Sequence, residues 1–167
     1  MFNDFSLLAV IPARSGSKGL IDKNIMQCAG KPLIEWSISA AKDVDFFDDV
    51  IVSTDSEIIA TIARNAGASV PFIRPEELAS DDASIISVIK HAWKNHRTFD
   101  GKSFDYIVLL QPTSPLRDVL HINSAIKLYF EKHKSKNDTL ASVYKVDKKN
   151  AWLMQSDNND YINFCFK

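Results

Sequence analysis

Cysteine is scarce, neither sign of charge is in surplus, and no apolar run is long. Each shortage excludes something. The cysteines, Cys28 and Cys165, share no metal-type spacing, so neither a disulfide scaffold nor a cysteine-built zinc site is expected. Unpaired thiols suit a reducing cytoplasm. Lysine and arginine together number 20 against 21 aspartates and glutamates, a net charge of −1. Nothing global draws such a chain to nucleic acid or an anionic membrane, and an anion site has to be made by local clustering. The longest early apolar run, LLAVIP at residues 7–12, is soon followed by Arg14. It is too short for a secretory core and far too short for a membrane span. His91, His96, His121 and His133 show no ligand spacing and are expected on helix surfaces. The scattered serines give no reason to read a Ser–His–Asp triad.

What the chain does have is an ordinary globular composition, 46% hydrophobic and 25% charged, over 167 residues, enough for one domain with a substantial core. The expectation is a soluble, cytoplasmic protein. Leu7–Ile11 is continuously apolar, as for a strand buried on both faces. Asp49–Ser53, Ser69–Ile73, Tyr106–Leu110 and Thr139–Val146 read as further strands. Residues 33–42, a segment capped by Thr54 or Asp55 and ended by Gly67, residues 84–96 and residues 119–132 read as amphipathic helices. Strands alternate with helices, which predicts an α/β fold with an open, mostly parallel sheet and helices on both faces. Ligands in such sheets sit beyond the carboxyl ends of the strands, so the loops at 12–24, 53–56, 74–84 and 111–118 should converge. No repeat, low-complexity stretch or linker is visible, and the pattern fades beyond Val146.

The segment VIPARSGSKGLIDKN, residues 10–24, places Arg14, Lys18 and Lys23 in a glycine-containing loop behind the first strand. Two readings stay open from the residues alone. One is a solvated surface loop. The other is a phosphate cradle, in which backbone N–H groups and the three cations face a nucleoside triphosphate of roughly four negative charges. Two better-known phosphate loops are excluded. The Walker pattern does not occur, and Gly30-Lys31 runs into Pro32. Gly16 and Gly19 supply only half of a dinucleotide fingerprint, and Asp55 lies too far on to complete it.

Four blocks then occur in order: IPARSGSKGLIDKNI with GKPLIEWSI, VIVSTDSEIIA, PFIRPEELASDDAS and LLQPTSPLR. Together they resemble the CMP-sialic acid synthetases, or acylneuraminate cytidylyltransferases, over residues 6–146. The resemblance implies a Rossmann-like nucleotidyltransferase of the nucleotide-diphospho-sugar transferase type. It would move CMP from CTP to the anomeric hydroxyl of a nine-carbon acidic sugar, with Mg²⁺, and release pyrophosphate. By position, Arg14, Lys18 and Lys23 correspond to the triphosphate and leaving-group contacts. Asn24 and Arg74, with Ser84 beside them, correspond to cytosine contacts, and Gln111 to a contact with the acidic sugar. Without the resemblance, Arg74 reads as a strand-end arginine in solvent and Gln111 as a turn cap before Pro112. Asp55 reads as a helix N-cap, and Arg117 as a structural partner of Asp118 or an acidic ligand.

The family carries a later acidic D-x-D pair for the metal, and no equivalent is seen here; Asp157 and Asp160 read as a polar turn. No metal ligand is therefore assigned. The expectation is a nucleotide-binding cytidylyltransferase domain at 1–146 and the start of an incomplete arm at 147–167. That makes the chain an amino-terminal fragment or a short form, dimeric when complete. The alternatives are a catalytically incomplete nucleotide-binding or assembly module, and an eight-carbon-sugar (CMP-Kdo-type) synthetase.

Overall fold

The computed structural model describes residues 4–16, 19–132 and 138–143, and the backbone of 154–156 and 162–164. The chain divides into two compact units, Met1–Glu131 and Lys132–Lys167.

The first unit is built on strand β1, Leu7–Pro12, flanked by parallel strands on both sides. The two-residue strands β2, Gln27–Cys28, and β3, Lys31–Pro32, form a small antiparallel hairpin that the sequence pattern did not announce. Strand β4, Asp49–Ser53, lies on one side of β1 with Pro12 opposite Ser53. Strand β5, Tyr106–Leu109, lies on the other with Val10 opposite Leu109. The order β4-β1-β5 is the open parallel sheet the alternation predicted.

Helices α1 (Leu33–Lys42), α2 (Glu57–Asn65), α3 (Ile85–Asn95) and α4 (Val119–Lys132) cover both faces of it. Alternate residues of β1 explain why its run is continuously apolar. Leu7, Ala9 and Ile11 pack with Ile34 and Ile38 of α1, Ile59 of α2 and Ile122 and Ile126 of α4. Leu8 and Val10 face the other way, onto Ile51, Ala92 of α3 and Phe104. Every residue from Leu7 to Ile11 is at most 1% exposed. Alternation of polar and apolar residues would leave one of those helices without a partner surface.

Four local readings change. The cap of α2 is Ser56, whose hydroxyl accepts from the Ile59 amide, while Thr54 Oγ1 accepts from the Ser56 amide. Asp55 points elsewhere. The segment 69–73 pairs with β4 only at its ends, Ser69 beside Ile51 and Ile73 beside Thr54. Pro71 between them has no amide hydrogen to donate, so a continuous ladder cannot form. Residues 139–143 of the expected fifth strand carry no regular structure, and 144–146 lie outside the described residues. His91 and His96 are half-buried rather than on the surface, His91 edge-on to Phe72 and His96 bonded to Asp49 at 2.8 Å.

Gly67 does end α2, by a Schellman motif: its amide donates to the Arg64 carbonyl and the Ala68 amide to that of Ala63. Its φ of 89° lies in the left-handed region. Gly67→Ala should therefore lower stability by about 1–2 kcal/mol, read from a urea or thermal melt. A Cβ there would meet Lys42 Nζ, but that flexible side chain can move aside. An unchanged melt would mean that the backbone reaches another conformation at no loss.

In the second unit, strands β6, Met154–Ser156, and β7, Ile162–Phe164, pair antiparallel with Gln155 opposite Asn163. Asp157, Asp160, Cys165 and His133 lie outside the described residues. Among the described residues Cys28 is an unpaired thiol, and no helix is long and apolar enough to cross a membrane.

Candidate active site

Three loops leave the carboxyl ends of β1, β4 and β5, and the segment 69–73 delivers Arg74 beside them. The loops after β1 and β5 and the segment from Arg74 onward meet around one cleft of about 260 Å³. Its wall takes Pro12, Arg14, Lys23 and Asn24 from the first loop, residues including Arg74, Asp81 and Val88 from the segment that Arg74 opens, and Gln111 to Thr113 after β5. Three of the four loops expected to converge line it; the loop at 53–56 does not, and reaches it only through the contact of Asp55 with Arg74.

Arg14 stands on the loop immediately behind β1, held in line because the Ala13 amide donates to the Ser53 carbonyl at 3.0 Å. Its guanidinium donates to the Ala79 carbonyl at 3.2 Å and makes an ion pair with Asp81. The turn RPEELASDD, with a single 3-10 turn at Glu76–Leu78, folds back so that both acceptors reach it. Asn24 is 5% exposed, and its side-chain amide donates to the Arg14 carbonyl at 3.0 Å, closing the ends of the basic loop on each other. Asp22 turns that loop through a φ of 53°. Lys23 lines the cleft; Ser17 and Lys18 lie outside the described residues.

Arg74 is the unusual residue. Its side chain is 3% exposed, yet Nε and one terminal nitrogen have no hydrogen-bond partner. A strand-end arginine in solvent is therefore not what the structure contains. A buried guanidinium with idle donors is costly unless something else fills them. Burial pushes its pKa down and Arg14 adds to that, while the Asp55 carboxylate at 3.6 Å opposes both. Asp55 in turn accepts from the Ser15 amide at 3.0 Å and from the Ser15 hydroxyl. Burial raises its pKa, but those bonds and Arg74 outweigh it and hold the carboxyl below 3.8, so it is ionised at neutral pH.

Gln111 is exposed at the mouth of the cleft, and its backbone carbonyl is gripped from behind by Arg117, at 2.9 Å. Arg117 also donates to the Ser37 hydroxyl at 3.2 Å, tying the loop after β5 to α1. Asp118 bonds the His121 amide instead. Arg117 is tied into the fold through Gln111 and Ser37, and the expected pairing with Asp118 is not made.

Ser84 stands apart. Its hydroxyl caps α3 by accepting from the Ser87 amide at 3.1 Å, and its neighbours Ala83 and Ile85 line the cleft while it does not. The apolar floor of Leu78, Ile85 and Val88 was not foreseen, although the helical spacing of Ile85 and Val88 carried the signal. Asp55 and Asp81 were missed as partners because both pairings cross the sheet, at separations of 40 residues from Ser15 and 67 from Arg14.

Among the described residues no three of His, Cys, Asp and Glu gather in a way that could hold a metal ion. Asp55 and Asp81 each face a guanidinium instead.

The Arg14–Asp81 pair invites a direct test. Both side chains are partly exposed, 29% and 26%, so the pair is worth little to stability but occupies a cation at the cleft. Asp81→Asn should strengthen binding of inorganic pyrophosphate by about twofold to fivefold at low salt, with a smaller gain at high salt. Calorimetric titration of the variant checks this; unchanged affinity at both salts would show that Asp81 does not compete for Arg14.

A parallel sheet with this order and a basic cleft at its carboxyl edge has the fold of the nucleotidyltransferases. It superposes on the CMP:2-keto-3-deoxy-manno-octonic acid synthetase complexed with CTP with a TM-score of 0.63 and 21% identity, over 75% of this chain and 48% of that one. A cytidylyltransferase from Leptospira borgpetersenii gives a TM-score of 0.61 and 24% identity, over 78% of this chain and 51% of that one. At those identities the likeness shows the fold. The family model for cytidylyltransferases matches residues 8–163, and the chain belongs to that family.

Relatives are nearer in sequence. The N-acylneuraminate cytidylyltransferase of Escherichia coli O18:K1:H7 is 41% identical over 95% of this chain and 36% of its own length. The CMP-N,N'-diacetyllegionaminic acid synthase of Legionella pneumophila is 40% identical, over 91% of this chain and 63% of its own. The pseudaminic acid cytidylyltransferase of Campylobacter jejuni is 32% identical over 93% of this chain. The chain thus spans between about a third and two thirds of the length of these relatives, 36% of the first and 63% of the second.

Proposed function

We propose that the protein is a cytidylyltransferase that moves CMP from CTP to the anomeric hydroxyl of a nine-carbon acidic sugar. The observation that carries this reading is the meeting of Arg14, Lys23, Asn24, Arg74 and Gln111 around one cleft, in a chain 40–41% identical to relatives named for such sugars. The sugar oxygen forms a bond to the α-phosphorus and the bond to the bridging oxygen of pyrophosphate breaks. The hydroxyl proton passes to solvent. That displacement needs alignment and neutralised charge more than covalent help. Arg14, Lys18 and Lys23 offset the charge on the phosphates. Arg74 offers its idle donors to the acceptor edge of cytosine, with Asn24 beside it. Gln111, steadied by Arg117, contacts the acidic sugar at the mouth. Ser84 contributes through the capped start of α3.

Mg²⁺ belongs to the proposal for the whole protein, with its carboxylates outside the described residues. So do a homodimer and a cytoplasmic location. The eight-carbon-sugar alternative draws on a fold likeness at 21% identity, and the 41% relative outweighs it.

The test is pyrophosphate release from the full protein with CTP, Mg²⁺ and a panel of neuraminic, legionaminic and pseudaminic acids and an eight-carbon acidic sugar. Turnover with at least one nine-carbon sugar is expected. Turnover with the eight-carbon sugar alone, or with none of them, would overturn the reading.

A further inference from the structure

Besides the Arg14–Asp81 pair, a second carboxylate joins the first loop to the segment that carries Arg74. The parallel pairing of β1 with β4 ends at Pro12 beside Ser53, and the next bond runs from the Ala13 amide to the Ser53 carbonyl. Two residues further along each chain stand Ser15 and Asp55. On the other side of β4, Ile73 bridges Thr54, and the Arg74 amide donates to the Thr54 carbonyl at 2.7 Å. Arg74 is therefore set down next to Asp55. Asp55 lies between the first residues of the phosphate loop and the buried arginine, touching both and reaching the cleft wall with neither oxygen.

Its two oxygens divide the work. Oδ2 accepts from the Ser15 hydroxyl. Oδ1 accepts from the Ser15 amide at 3.0 Å and faces the Arg74 guanidinium at 3.6 Å. Among the described residues no other carboxylate pairs with the arginine, and Nε has no hydrogen-bond partner. A guanidinium 3% exposed is held by charge and shape together, since solvent cannot hold it.

We propose that Asp55 is a positioning residue that couples the phosphate loop to the base-reading arginine, so that one carboxylate sets the spacing between triphosphate and base. The proposal rests on the assignment of Arg74 to the cytosine. It also explains why an aspartate stands where a helix cap was expected, with Ser56 taking the capping role one residue later. An aspartate is long enough to reach the Ser15 amide without leaving the strand end, and its charge answers Arg74. A neutral isostere keeps one acceptor for Ser15, puts an amide nitrogen where the other stood, and loses the charge that faces Arg74.

The experiment uses the 167-residue chain and three probes: CTP and UTP for the base, and inorganic pyrophosphate for the phosphate loop, each by calorimetry. Arg74→Ala should shrink the CTP-over-UTP preference and leave pyrophosphate affinity in place. Ser15→Ala should weaken pyrophosphate by about threefold to fivefold and leave the preference in place. Asp55→Asn should move both readouts, lowering the preference by about tenfold. Combined with Arg74→Ala it should lower the preference no further, since the arginine it positions is gone. Asp55→Glu, which retains the charge, should keep more of the preference than Asp55→Asn and serves as the second variant should the asparagine destabilise the chain.

Three results would overturn the proposal in different places. An unchanged preference in Asp55→Asn, with Arg74→Ala effective, removes the positioning role and leaves the base assignment standing. A glutamate no better than asparagine removes the charge from the account. An unchanged preference in Arg74→Ala itself overturns the base assignment, and the coupling falls with it.

Discussion

Replacing Arg74 with alanine should reduce the preference for CTP over UTP by roughly thirtyfold, about 2 kcal/mol, while the protein stays folded. The magnitude follows from the state of the side chain before any ligand arrives. Its guanidinium is 3% exposed, with Nε and the terminal nitrogen that faces Asp55 making no hydrogen bond, so the desolvation cost is already met by the fold. A base that presents acceptors to those donors gains charged hydrogen bonds without having to strip water from the arginine. Cytosine presents an acceptor at the ring nitrogen where uracil presents a donor, and a donor facing a fixed guanidinium is repelled. Lysine should rescue little, because a single ammonium cannot reproduce the planar fork. Stability should hold, since Asp55 keeps both bonds from Ser15 after the arginine is gone. Calorimetry with the two nucleotides decides; equal affinities before and after the change would separate Arg74 from base choice.

Arg14→Ala, measured in the full protein, should lower turnover by about a hundredfold or more, with a smaller effect on melting temperature. Arg14 sits on the loop behind β1, and its ion pair with Asp81 is partly exposed, so the core does not depend on it. The leaving pyrophosphate accumulates charge as the reaction proceeds, and a fixed guanidinium stabilises that charge more than it does the bound triphosphate. The loss should therefore fall on turnover more than on KM for CTP. Lys23→Ala, from the other end of the same loop, and Lys18→Ala should act in the same direction. Pyrophosphate release at saturating CTP provides the measurement. Normal turnover in Arg14→Ala would take the first loop out of the reaction and return it to the solvated surface it could have been.

The architecture was legible from the chain because apolar periodicity reports burial directly. Leu7–Ile11 is apolar at every position since helices cover both sides of the strand, and the helix readings at 33–42 and 119–132 match α1 and α4. The basic loop, the arginine after Pro-Phe-Ile and the glutamine before Pro112 could be picked out because four blocks kept their order along the chain. What each of those side chains is bonded to could not be read. Asp55 read as a helix cap because a linear pattern of capping residues carries no sign of a partner 40 residues away.

Tertiary structure decided it through register. The pairing of Pro12 with Ser53, and the bridge from Thr54 to Ile73, bring Ser15, Asp55 and Arg74 to adjacent points on one sheet edge from three distant parts of the chain. A shift of one residue would turn every one of those side chains to the opposite face. The same applies to Asp81, which meets Arg14 only because the turn after Pro75 folds back over the cleft. By itself the sequence determined the buried run of β1 and the places of β4, β5 and the four helices, since those depend on local pattern and the hydrophobic effect. The charge pairs at the site depend on distances between segments, and those exist only once the sheet is assembled.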